Sequence, residues 1–173
     1  MTFSTVESTE SNILNGISDL GYVQNIKPHP DLIHYPVGED RLAVVVKSDF
    51  DIPDRVRLED LLQYDLIYCF DKLMERPPLE EALNRFGYHL KDFNIGMTLH
   101  AIEIVNTALH QGLGFSFLPY CSVKKELQSG SLKEINVEGF SVRYPIYLVY
   151  LKENEDTPRM QGLIQYLKQS KTS

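Results

Sequence analysis

Five histidines, His29, His34, His89, His100 and His110, and two cysteines, Cys69 and Cys121, are the side chains best suited to bind a metal or attack a substrate. Their spacing supports neither use. Zinc sites need ligands a few residues apart, and no pair of these histidines has that spacing beside a carboxylate. The cysteines lie 52 positions apart and read as two reduced packing residues rather than a redox or metal pair. Ser116 and Ser122 have no base partner in a nucleophile motif, and no Gly-x-Ser-x-Gly turn or phosphate loop exists. Gly112-Leu113-Gly114 follows a helical pattern rather than a strand, so it is no dinucleotide fingerprint. No metal or cofactor is expected, and the chain reads as a binding protein, not an enzyme.

Binding chemistry is better supplied. Helix starts offer free backbone N–H groups and the positive end of the helix dipole to a polar or anionic guest. Three places qualify: Ser8-Thr9; the segment through Thr98, Leu99 and His100; and Tyr68-Cys69-Phe70-Asp71, at the end of an apolar strand. The same hydroxyls at Ser8, Thr9 and Thr98 suit a plain helix cap equally well. Tyr68 and Phe70 equally suit a core.

The element that positions these groups is Thr98–Pro119. Thr98 is an N-cap candidate, and Ile102, Val105, Ala108 and Leu109 recur on one helical face. Gly112 suits a left-handed stop, and Phe115 to Leu118 is a buried strand ended by Pro119. Before it, Phe3–Glu7 reads as a strand, and a helix follows with Ile13, Leu14, Ile17 and Leu20 on its face. Gly21–Val23 and Leu32–Val37 read as strands. Gly38-Glu39-Asp40 reads as a turn into Leu42–Val46. Leu58–Gln63 is a short helix, Leu66–Phe70 a strand, and Pro78 opens a helix stopped by Gly87. Phe93–Gly96, Leu132–Val137 and Pro145–Leu151 are strands. Ser122 caps one helix and Thr157 another. Strands alternating with helices predict an α/β fold with largely parallel pairing.

Composition sets the outer bounds. The chain has 173 residues, 43% of them hydrophobic, enough for one domain or one domain in two lobes. The net charge of −7 and the lack of a basic run disfavour nucleic-acid binding by this chain alone. No apolar stretch is long enough to span a membrane, and no signal peptide is visible. A cytoplasmic protein is expected, without a membrane partner.

Q-G-L-G-F-S-F-L-P at 111–119, followed by V-K-K-E-L-Q-S-G-S-L-K-E-I at 123–135, resembles the effector-binding domain of LysR-type transcriptional regulators. Asp19-Leu20-Gly21, Arg41–Lys47, Leu58-Glu59-Asp60-Leu61 and Leu66-Ile67 match further along that pattern. The resemblance implies a two-lobed fold like a type 2 periplasmic binding protein. Lobe one would be residues 1–46 plus 145–173 and lobe two 47–144, with Leu42–Val46 and Pro145–Leu151 as crossover strands. It also implies a small-molecule effector, anionic or polar, bound in a cleft by Ser8, Thr9, Tyr68 to Asp71, and Thr98 to His100. The implied partners are a second copy in a homodimer, a tetramer in the full-length protein, and DNA only through a winged helix-turn-helix that this chain lacks. By that pattern the chain is truncated at its N-terminus. A solute receptor of a transport system, built on the same fold, is the alternative.

Overall fold

In the computed structural model, residues 6–24, 26, 28–70 and 77–170 are described. The strand expected at Phe3–Glu7 is not found where it can be checked. Val6 and Glu7 already belong to helix α1 (Val6–Leu14), and the rest lies outside the described residues. The chain divides into two compact units, residues 1–39 with 144–173, and residues 40–143.

In the first unit α1 ends earlier than the apolar spacing predicts. Gly16 adopts φ 69°, Ile17 N–H donates to Asn12 O (2.7 Å) and Gly16 N–H to Ile13 O (3.0 Å). These two bonds form a Schellman stop. Ile17 therefore falls beyond the helix and is 71% exposed, whereas Ile13 is fully buried. Strand β1 (Leu20–Val23) pairs antiparallel with β9 (Arg143–Leu151), which neighbours β2 (Leu32–Lys47). Thr9 of α1 lies so close over Gly21 that a side chain there would collide with its Cγ2. His34 on β2 and Glu10 on α1 share a partly buried 2.8 Å hydrogen bond. Helix α5 (Pro158–Ser170) opens as expected, with Met160 N–H donating to Thr157 Oγ1 at 3.4 Å.

β2 corrects the reading of two strands and a turn. It runs unbroken through Gly38, because Gly38 keeps a negative φ and the flanking Val37, Leu42 and Val44 sustain the extended backbone.

In the second unit the far half of β2 pairs antiparallel with β6 (Ser116–Pro119) and β7 (Leu132–Glu134). Strand β4 (Asp65–Cys69) pairs parallel with β5 (Asn94–Leu99), and β3 (Arg55–Val56) with β8 (Asn136–Val137). The pairing is therefore mixed rather than largely parallel. Helices α2 (Pro77–Arg85), α3 (Ile102–His110) and α4 (Tyr120–Ser129) complete the unit, with a 3-10 turn at Leu58–Gln63. One core gathers Phe93, Phe115 and Phe117, with ring centroids 5.6–6.3 Å apart and Phe117 edge-on to both of the others. The other packs Val105, Ala108 and Leu109 of α3 on Ala43, Val45, Ile67 and Leu118. Ser122 is not a cap. It lies within α4, and its hydroxyl donates back to Pro119 O at 2.7 Å.

Gly114 joins β4 to β6. Its φ is 146°, and a Cβ there would stand inside the contact radius of Asp65 O. Gly114→Ala should cost about 2–4 kcal/mol, combining backbone strain with a clash against main chain that cannot move aside. Gly38→Ala, with open space and an ordinary φ, should be neutral or stabilise by about 0.5 kcal/mol. Urea unfolding of the two variants checks the contrast; equal midpoints would refute it.

Candidate functional site

The predicted residues of β4 and β5 are brought together. Between Leu66↔Ile95 and Ile67↔Met97 the register slips by one residue, so Gly96 is a bulge. Asp65 packs against Gly96, with its Cβ only 3.0 Å from where a glycine side chain would begin. The slip sets the pairing beyond it: Tyr68 stands opposite Thr98, and Cys69 opposite Leu99. Phe70 N–H then donates to Leu99 O at 2.7 Å.

Strand alternation sorts these residues into two faces. Cys69 and Leu99 pack toward α3, in the cluster of Val105, Ala108 and Leu109. Tyr68, Phe70, Thr98 and His100 take the other parity. The His100 ring meets Phe70 edge-on at 5.6 Å, with Nδ1 3.0 Å from Phe70 O. Phe70 and Tyr68 are 6.3 Å apart. Thr98 and His100 are exposed, and Tyr68 and Phe70 are half-buried.

Thr98 is not the cap of the central helix. It is a strand residue, because β5 runs on to Leu99 and α3 begins only at Ile102. The cap position belongs to Ala101, whose methyl has no oxygen to offer the first N–H groups of α3. The sequence signal for this late start was the run Ile95–Leu99, which satisfies a strand as well as a helix entry. Ser8 and Thr9 are likewise inside a helix rather than at its cap, and both belong to the other unit. Asp71 lies outside the described residues.

The electrostatics are mild. Glu103 already places a carboxylate in the first turn of α3, and no Lys or Arg occurs at 68–70 or 98–103. Among the described residues no group of three His, Cys, Asp or Glu could hold a metal ion. Nucleophile chemistry is disfavoured at Cys121 as well. It sits in the first turn of α4, where the helix dipole ordinarily favours a thiolate. Burial, reinforced by the hydrogen bond and the charge of Asp40, instead pushes this thiol up to about 12.

Comparison with known proteins gives the arrangement a family. A model of the LysR substrate binding domain matches residues 1–172. The chain belongs to the LysR substrate-binding domain family. It is 28% identical over 147 residues to a probable RuBisCO transcriptional regulator of Nostoc, covering 82% of this chain and 44% of that protein. It is 30% identical over 156 residues to an uncharacterized HTH-type transcriptional regulator of Methanocaldococcus jannaschii, covering 89% and 51%. The LysR domain thus spans about half the length of these relatives. Its fold is that of the regulatory domain of Synechocystis CcmR in complex with 2-PG (TM-score 0.77, 19% identity, 94% and 78% covered). It is also that of the effector-binding domain of QuiR in complex with shikimate (TM-score 0.75, 19% identity, 95% and 77% covered). The expected α/β fold, of the type 2 periplasmic-binding-protein kind, is the one observed. No helix among the described residues is long and apolar enough to cross a membrane.

The state of Cys121 can be checked in this LysR domain. At pH 8 the thiol sits well below its folded pKa, so it stays protonated and alkylation should be at least about tenfold slower than in urea-unfolded chain. The reaction should accelerate only as pH rises toward about 12. Asp40→Asn, which removes a neighbouring negative charge, should speed it. Peptide mapping after iodoacetamide pulses gives the rates; equal rates in folded and unfolded chain would be decisive against.

Proposed function

We propose that this LysR domain is a sensor that binds a small polar metabolite on the face formed by Tyr68, Phe70, Thr98 and His100. In a longer regulator, that ligand state would govern transcription through a DNA-binding part outside this chain. The observation that carries the reading is the Gly96 bulge, which sets the Thr98 hydroxyl beside Tyr68 near paired strand ends, four residues before α3 opens at Ile102. Ligands of α/β domains bind outside such carboxyl ends, near helix N-termini. The relatives named as transcriptional regulators and the ligand-bound neighbours support it. The Glu103 carboxylate in the first turn of α3 favours a polar guest with at most one weakly anionic group over a highly charged one. Binding shifts the regulator only through different affinities for its two states.

Because Thr98 is an exposed strand residue, Thr98→Ala should change stability by no more than about 0.5 kcal/mol. It should weaken ligand binding about tenfold, roughly 1.4 kcal/mol. His100→Ala, which also frees Phe70, should weaken it as much. Thermal shift with shikimate, 2-PG and a panel of small polyols and carboxylates is the measurement. A ligand that protects both variants as well as the parent would place the site elsewhere.

The reading includes a homodimer. Ile17 at 71%, Tyr22 at 48%, Ile26 at 43% and Leu14 at 38% exposure leave apolar surface in the first unit for a second copy to cover. Light scattering at roughly 50 micromolar protein should return twice the chain mass. A single chain mass would refute it.

A further inference from the structure

The second unit contains a cavity, away from the strand ends just described, that the sensor reading does not use. It opens where the chain leaves the edge of β2. Leu42 N–H donates to Val142 O at 3.0 Å, and Ile135 N–H donates to Val44 O at 2.8 Å. Between those two bonds residues 136–141 depart, because β8 turns away to pair with β3. The gap that remains is a cavity of about 390 Å³. A water molecule occupies about 30 Å³, and small-molecule pockets begin near 300 Å³.

We propose that this cavity is a second ligand site, for a small uncharged amphipathic molecule carrying an adjacent hydrogen-bond donor and acceptor, as in a carboxamide or lactam. Three observations carry it. The first is backbone direction. A strand residue aims its N–H and C=O at the same edge, so the Leu42 carbonyl and the Val44 N–H both point into the gap between the two bonds. An acceptor and a donor on one edge can be answered by the N–H and C=O of one amide group. The second is the wall. Val44, Ile135, Val137 and Val142 are 2–9% exposed and belong to the packed unit, and Phe140 is held by Phe86 and Phe117 at ring distances of 5.9 and 5.4 Å. Such a wall is formed before any ligand arrives, so little ordering opposes binding. The third is the rim charge. Arg41 makes a two-pronged bond to Glu134, with Nη2 2.8 Å from Oε2, and its guanidinium lies 4.2 Å over the Tyr120 ring. Both rim charges are already matched, so an ion entering the cavity would lose water without gaining a partner. A neutral guest loses less.

The lactam ε-caprolactam and its hydrolysed, ring-opened form, 6-aminocaproate, share a carbon skeleton, but only the open form carries an ammonium and a carboxylate, so the pair tests the assignment. In amide-resolved NMR titrations of the whole chain, caprolactam should move the Val44 and Val142 amides saturably. 6-Aminocaproate should leave them in place. Ser141→Trp, an exposed residue at the mouth, should weaken the lactam at least tenfold, whereas Thr98→Ala should not alter it. Asn136→Trp, also exposed and lining the cavity, is the second plug if the first does not give a native-like spectrum. The proposal is overturned if the Val44 amide stays fixed up to the lactam's solubility limit. It is equally overturned if 6-aminocaproate binds as well, or if a natively folded plug variant binds unchanged.

Discussion

The second unit rests on the close approach of two backbones, Asp65 to Ile67 of β4 and Gly114 to Ser116 at the start of β6. Phe115 N–H donates to Asp65 O (2.9 Å), Ile67 N–H to Phe115 O (2.8 Å), and the buried Ser116 hydroxyl to Ile67 O (2.7 Å). Only a glycine at 114 admits the first of these contacts. The bonds seat β4 between β5 and β6. They also place Phe115 in the aromatic core on one side of the sheet, with Ile67 in the α3 cluster on the other. The proposed binding face depends on this seating. With β4 held, the Gly96 bulge determines which residues of β5 stand beside Tyr68.

Much of this was legible in the sequence because it depends on local chemistry. Gly112 and Gly130 take the left-handed stops their positions suggested, at φ 72° and 73°. Of the apolar face Ile102, Val105, Ala108 and Leu109, the last three are buried as the period required and Ile102 is half-buried. The strands Leu66–Phe70 and Phe115–Leu118 were recognisable from unbroken apolar runs, which sheets covered on both faces produce.

The features that were not legible depend on partners far along the chain. Thr98 carries every local sign of a cap, yet β4 offers β5 a hydrogen-bonding edge as far as Leu99, and the ladder outcompetes a helix turn. Ser8 and Thr9 look like caps because they precede an apolar period, but the helix had already begun. At Gly38 a turn-like tripeptide remains extended within β2. Ile17 matched the helical period and was left outside by Gly16, a stop signal visible in the sequence and outweighed there by periodicity. The cavity beside β2 had no sequence signal at all, since it exists only because β8 finds its partner in β3.

Several groups able to do covalent chemistry are engaged in structural contacts. His34 is tied up with Glu10 in a partly buried hydrogen bond, His100 braces Phe70, Ser116 anchors β4, and Cys121 is held protonated beside Asp40. The proposed site offers a guest hydroxyls, ring edges and backbone dipoles. Such groups bind without converting, and each contributes only about 0.5–1.5 kcal/mol net, so recognition must come from several acting at once. That requirement makes the relative placement of Tyr68, Phe70, Thr98 and His100 matter more than any one of them. A one-residue slip at Gly96 would move Thr98 to the opposite face, because strand side chains alternate. At the proposed site, the bulge is therefore the feature on which the placement of these side chains turns.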